Sequence, residues 1–133
     1  MKSLKIRTRK EREVFDITEK INERIAVENM NSGFVFLFIL HTTASLTTAD
    51  LDPGTDQDMI DAFDAMMPKL KYRHPHDPGH VTDHILSSLI GASLVLPVKD
   101  GELVLGTWQR VVLIEMSGPR DRDIIFCAVP EIG

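Results

Sequence analysis

The chain has 133 residues, 43% of them hydrophobic and 26% charged, which is the size and composition of one globular domain spanning residues 1–133. Its net charge of −5 argues against a general nucleic-acid-binding protein, because such proteins neutralise phosphates with an excess of lysine and arginine. The only cysteine, Cys127, excludes a disulfide framework and predicts a cytoplasmic protein.

The first half of the chain predicts short strands around one amphipathic helix. Leu4, Ile6 and Thr8 alternate with basic residues, which predicts a half-exposed strand, and residues 14–15 predict a second short strand. Isoleucines recur every four positions from residue 17 to residue 25, which predicts a helix that begins near Asp16 or Thr18. Residues 34–40 are almost wholly apolar, as in a strand buried on both faces. They are too few to cross a bilayer, so we expect no membrane association.

The second half predicts two further helices followed by hairpin strands. The helices are expected over residues 55–70 and from Thr82 or Asp83 to Gly91. Asp100-Gly101 is a hairpin signal, because both central positions of the favoured turn need positive φ. Strands are predicted at residues 93–98, 103–105, 108–116 and 123–129. The pattern predicts an α+β fold: a mainly antiparallel β-sheet or sandwich with about three helices, in a single compact domain.

Four of the five histidines fall within eleven residues, at His74, His76, His80 and His84. Imidazole titrates near neutral pH and binds metals such as zinc, so this density predicts a site, with an ordinary polar surface loop as the alternative. Pro75 restricts the geometry of the first pair, and the predicted helix cap leaves His80 outside the helix. His84, in the first turn of the helix, is the best placed of the four.

His41 follows directly after the apolar strand, so we expect it to be fixed in position and partly exposed. The hydroxyl groups of Thr42 and Thr43 beside it are suited to orient a phosphate or a water. The alternative is a core histidine whose ring is hydrogen-bonded to the backbone. On the first interpretation, the histidine-rich segment is half of a site and His41 supplies the other half.

Two later segments carry candidate ligand contacts. Strand alternation predicts Thr107 and Gln109 on one face, where they would line a pocket, with Trp108 anchored in the sheet on the other. Arg120 and Arg122 also share a face and are spaced to grip a phosphate. The alternative for the arginines is an ordinary solvated pair among acidic neighbours.

Several segments occur together in this chain: His41-Thr-Thr-Ala-Ser-Leu-Thr47, Asp83-His84-Ile-Leu-Ser-Ser-Leu-Ile-Gly91, Asp100-Gly101 and Leu105-Gly-Thr-Trp-Gln109, followed by Glu115 and the Arg120/Arg122 pair. This combination resembles the YjbQ family, whose members are often described as secondary thiamine-phosphate synthase-like. The resemblance extends from about residue 4 to residue 130.

The resemblance implies a compact α+β homotrimer with a histidine-lined pocket that holds an anion and a divalent metal, zinc or magnesium. The family histidines match His41, His74 and His84, which are thereby the implied metal ligands. Ala49-Asp50 replaces an Asn-Glu pair of the family, so Asp50 would supply a carboxylate with less reach.

The function implied by the resemblance is a transferase of the thiamine-phosphate synthase type, acting on a small phosphorylated metabolite. The implied catalytic residues are His41, His84, Glu115 and Asp50, and the substrate-binding residues are Thr42, Thr43, Thr107, Gln109, Arg120 and Arg122. Enzyme activity itself stays uncertain, because the chain has no glycine-rich phosphate loop and no paired-aspartate magnesium motif. The alternatives are a zinc-dependent hydrolase with Glu115 or Asp50 as general base, and a non-catalytic trimer that binds a metal or a phosphorylated metabolite.

Overall fold

The structure is a computed structural model that describes residues 2–74 and 78–132. The strands of this part of the chain are β1 (Lys2–Arg7), β2 (Glu13–Asp16), β3 (Gly33–Ile39), β4 (Ala44–Ala49), β5 (Ser93–Lys99), β6 (Glu102–Leu103), β7 (Arg110–Glu115) and β8 (Asp121–Pro130). Its helices are α1 (Thr18–Val27), α2 (Thr55–Met66) and α3 (Val81–Ile90), the last preceded by a 3₁₀ turn at Pro78–His80. Within the described ranges, none of the helices has the length and apolar character needed to span a membrane.

All of the strands pair antiparallel. Five form one sheet in the order β1-β8-β3-β5-β6, and three form a second sheet in the order β2-β7-β4. The predicted α+β fold with a mainly antiparallel sheet is therefore confirmed.

The main apolar core lies between the two sheets, and α1 packs into it. Leu37 of β3 and Leu113 of β7 are fully buried there, as are Ile21 and Ile25 of α1. The four-residue isoleucine repeat thus faces the core, as predicted from the sequence. Each such buried aliphatic side chain stabilises the fold by about 1.5–3 kcal/mol.

β7 is buried on both faces. Val111 and Leu113 contact the main core, whereas Val112 and Ile114 belong to a second apolar cluster formed with α2 and α3. The domain therefore has three layers: the five-stranded sheet, the three-stranded sheet and the pair of helices α2 and α3.

The prediction that the apolar strand of residues 34–40 is buried on both faces is wrong within the single chain. Phe34 and Phe38 of β3 are 41% and 39% exposed, and Val95 on the neighbouring strand β5 is 63% exposed. An unbroken apolar run is typical of a strand with two covered faces, but it does not say whether the second cover is part of the same chain.

The start of α3 differs slightly from the prediction. Val81 is its first residue and His80 occupies the N-cap, so neither Thr82 nor Asp83 caps the helix. Asp83 is instead buried and accepts a hydrogen bond from Arg12. His80 lies outside the helix, as predicted. His76, the remaining histidine of this segment, lies outside the described residues, as do Pro75 and Asp77.

The strand predicted from residue 108 begins only at residue 110. The preceding residues form a turn, closed by a hydrogen bond of 3.1 Å from the N–H of Gln109 to the carbonyl of Gly106. Trp108 is therefore 71% exposed, and the prediction that it anchors the sheet is wrong. Strand alternation does not apply to residues in a turn.

Candidate functional site

A cleft of about 960 Å³ opens where β3 and β7 end and β8 begins, beside the first turn of α3. We call it the histidine cleft, and its lining comprises Arg7, residues 40–43, His74, His80, His84, Ser117 and residues 119–122. Seven of the predicted site residues converge here from distant parts of the chain: His41, Thr42, Thr43, His74, His84, Arg120 and Arg122. Their catalytic and binding roles stay predictions.

His41 is held at the edge of the cleft by β8. Its Nε2 accepts a hydrogen bond of 2.9 Å from the backbone N–H of Asp123. Burial, followed by the positive charge of Arg122, lowers the pKa of His41 from its usual value, although Asp123 and Glu115 oppose this shift. The ring is therefore neutral at neutral pH, and its proton is on Nδ1.

A buried ion pair forms the floor of the cleft. Arg122 is 2% exposed and Glu115 is fully buried, and the Nε of Arg122 lies 2.9 and 3.1 Å from the two carboxylate oxygens. The same carboxylate accepts a hydrogen bond of 2.6 Å from the Thr8 hydroxyl and one of 3.1 Å from the backbone N–H of Met116. Arg122 also donates to the hydroxyl of Thr43 over 2.9 Å. This placement favours a positioning role for Glu115 rather than the predicted catalytic one.

The two predicted arginines do not share an environment. Arg120 precedes β8 and is exposed, whereas Arg122 is buried within it. The Nε of Arg120 donates to the carbonyl of Ser117 over 2.6 Å, which fixes the plane of its guanidinium group. Arg7 lies at the same rim and forms an exposed pair with Asp121 at 3.6 Å.

The histidine-rich segment contributes three rings to the cleft. The rings of His74 and His84 stack with centroids 5.2 Å apart. The Nδ1 of His80 lies 3.3 Å from Asp83, whose other carboxylate oxygen accepts a hydrogen bond of 2.8 Å from Arg12. This connection from Arg12 through Asp83 to His80 was not predicted from the sequence. The spacing of three residues between His80 and Asp83 could have indicated their contact. No sequence pattern indicated that Arg12 also contacts Asp83.

Within residues 2–74 and 78–132, the predicted metal ligands do not come together as a zinc or magnesium site. The described residues contain no group of three or more histidine, cysteine, aspartate or glutamate side chains close enough to hold a metal. His41 uses its Nε2 lone pair to accept the N–H of Asp123, so that nitrogen is engaged with the protein backbone. The prediction of metal binding by His41, His74 and His84 is therefore not supported.

Three predicted site residues lie elsewhere. Asp50, Thr107 and Gln109 line a separate pocket of about 450 Å³ together with the exposed Trp108. Strand alternation predicted that Thr107 and Gln109 line the pocket, and the resemblance implied the same for Asp50. Within one chain they lie at the opposite end of the three-stranded sheet, because β7 begins beside them and ends at the histidine cleft.

The histidine cleft combines positive charge with neutral hydrogen-bond donors. Its lining contains three arginines and one aspartate, although the chain as a whole carries a net charge of −5. Buried Glu115 compensates Arg122, so the rim residues Arg7 and Arg120 provide the excess positive charge over Asp121. Such an arrangement attracts small anions and can bind their oxygens through directed hydrogen bonds.

The sequence comparisons identify relatives along the whole chain. The family model described as UPF0047 protein YjbQ-like matches residues 2–131. The UPF0047 protein YugU of Bacillus subtilis is 36% identical over 123 residues, which cover 92% of this chain and 93% of the relative. A UPF0047 protein of Archaeoglobus fulgidus is 34% identical over 127 residues, which cover 95% of this chain and 98% of that protein.

Solved structures have the same fold. A hypothetical protein from Aeropyrum pernix K1 superposes with a TM-score of 0.87 at 29% identity, covering 98% of each chain. A YbjQ-like protein of unknown function from Sulfolobus solfataricus P2 gives a TM-score of 0.84 at 27% identity, covering 94% of this chain and 92% of that chain.

These comparisons correct the functional prediction. The matching family is described only as UPF0047, and the similar structures are described as hypothetical or of unknown function. Nothing in them indicates thiamine-phosphate synthesis. The prediction of a thiamine-phosphate synthase-like transferase is therefore wrong as a conclusion from family resemblance.

Proposed function

The chain belongs to the YjbQ-like UPF0047 family, and within that family we propose that its histidine cleft binds a small phosphorylated metabolite. The supporting observation is the excess of arginine in one cleft of an acidic chain. A phosphate group suits this cleft because it offers several acceptor oxygens and negative charge at once. We place this binding in the cytoplasm, where the single cysteine, Cys127, stays a free thiol.

Individual residues have separate tasks in this proposal. Arg120 binds phosphate oxygens with the nitrogens at the end of its guanidinium group, while its Nε is held by Ser117. His41 is neutral and donates from Nδ1, and Thr42 adds a hydroxyl donor. Arg122 does not need to move, because the buried pair with Glu115 already fixes it beneath the ligand. The site is thus organised before the ligand arrives.

Calorimetric titration with inorganic phosphate and with glycerol phosphate tests this function. Arg120→Gln is expected to weaken binding by about tenfold or more, since hydrogen bonds to charged groups contribute about 1.5–3 kcal/mol. Lys20→Gln removes the same charge from the exposed part of α1, outside the cleft, and serves as the matched control. Equal affinities of the two variants, or no binding of either probe by the unchanged protein, would contradict the proposal.

We also propose that the protein is a homotrimer. The support is the uncovered apolar surface of the five-stranded sheet, which includes Phe34, Phe38 and Val95, continued by Leu40 at 54% exposure. Contiguous apolar surfaces of this kind on a single chain are typical of interaction sites. Light scattering is expected to give three times the chain mass of 15.0 kDa, and a monomeric mass at every concentration would contradict the trimer.

A further inference from the structure

The turn at residues 106–109, here called the Trp108 turn, holds an aromatic side chain out of the fold. Gln109 accepts a hydrogen bond from the N–H of Gly106 and donates one to Thr48, each over 3.0 Å. These bonds order the turn, yet Trp108 is 71% exposed. Ordered aromatic side chains on a surface are typical anchors of protein interfaces.

The Trp108 turn lies far from the histidine cleft of its own chain. β7 begins directly after the turn, where Arg110 pairs with Ala49, and ends at the cleft, where Glu115 pairs with Ala44. Six strand residues separate the two positions by about 15–20 Å. The turn and the cleft are therefore surfaces at opposite ends of the same sheet.

An apolar groove adjoins the histidine cleft. It has a volume of about 580 Å³, and its lining includes Phe38, Leu40 and Ala92. Leu40, His41 and Thr42 line both the groove and the cleft, so the two cavities are continuous. Phe38 also belongs to the exposed surface of the five-stranded sheet, which places the groove at the edge of the proposed trimer interface.

The charges of the two surfaces are complementary. Asp50 lines the same pocket as Trp108, and the exposed Asp52 is bonded to it through its backbone N–H over 3.0 Å. Arg7 and Arg120 lie at the rim of the histidine cleft. The aspartates beside the Trp108 turn and the arginines at the rim attract each other between two copies of this chain.

We propose that the Trp108 turn of one copy docks in the apolar groove of the next and thereby closes the neighbouring histidine cleft. The inference rests on the proposed trimer. A ring of three copies requires a head-to-tail interface between two different surfaces, and the turn and the groove provide such a pair. Thr107 and Asp50, which are distant from the histidines within one chain, reach a histidine cleft in the neighbouring copy.

The emission of Trp108 tests this arrangement directly, because it is the only tryptophan in the chain. In the assembled protein the emission is expected at short wavelength, with poor quenching by acrylamide. Leu40→Glu places a charge in the groove and is expected to lower the mass, shift the emission to longer wavelength and increase quenching several-fold. Val27→Glu changes another exposed apolar residue, at the end of α1 and outside both cavities, and leaves mass and emission unchanged.

Titration with inorganic phosphate tests whether the turn closes the cleft. Saturation is expected to change the emission of Trp108 in the unchanged assembly, and Arg120→Gln is expected to require correspondingly more phosphate. A trimer in which Trp108 emits and is quenched as a solvent-exposed indole overturns the docking. Calorimetric phosphate binding without any change in emission overturns the closure of the cleft, while the proposed binding function stands. If Trp108 is buried in the assembly but phosphate does not bind, the proposed binding function is overturned while the docking of the turn stands.

Discussion

Replacing Glu115 by Gln tests how the floor of the histidine cleft is stabilised. The substitution keeps the shape of the side chain but removes its negative charge, so Arg122 stays 2% exposed without a compensating charge. Removing one partner of a buried ion pair costs about 3–5 kcal/mol, because the remaining charge is neither solvated nor paired. For a chain of this length, that corresponds to a decrease in Tm of roughly 10–18 °C.

The measurement is urea denaturation followed by circular dichroism at one fixed protein concentration, since assembly contributes to apparent stability. Asp121→Asn is the control, because it breaks an ion pair whose side chains are 76% and 63% exposed and is expected to cost at most about 1 kcal/mol. Glu115→Gln with Arg122→Met removes the buried charge altogether and is expected to recover part of the loss. A loss below about 1 kcal/mol for Glu115→Gln alone would refute the reasoning.

Two further predictions concern other parts of the fold. The lowered pKa of His41 means that the unfolded chain binds a proton that the folded chain does not, so stability decreases as the pH falls below about 6.5. His41→Gln is expected to reduce that decrease between pH 7 and 5 in urea titrations, and identical pH profiles of the two proteins would argue against it. Gly101 has a φ of +79° with space for a Cβ, so Gly101→Ala is expected to cost about 1–2 kcal/mol through backbone strain alone. An unchanged Tm would show that the hairpin relaxes.

The sequence predicted those parts of the fold in which one local pattern determines the outcome. The isoleucine repeat of α1 and the Asp100-Gly101 hairpin are of this kind, and both occur in the structure. The apolar run of β3 was ambiguous, because apolar residues on both faces do not identify what covers each face. β7, in the middle layer of the domain, has both faces covered within the described chain.

The candidate site was predictable where residues follow fixed elements. His41 after β3 and His84 in the first turn of α3 were both expected at a shared cavity, and both line the histidine cleft. Thr107 and Gln109 were misplaced because strand periodicity was extended into a turn. Arg12 could not be predicted, since its contact with Asp83 joins residues 71 positions apart and depends on the tertiary fold.

The buried Arg122 also has a consequence for strand alignment. The side chains of β8 alternate, so Arg122, Ile124 and Phe126 face inward while Asp121 and Asp123 face outward. A shift of one residue against β1 would turn the aspartates inward and carry Arg122 away from Glu115. The aliphatic residues of β8 would tolerate such a shift better than the charges would. This single ion pair thereby favours the native alignment of β8 over the alignments shifted by one residue.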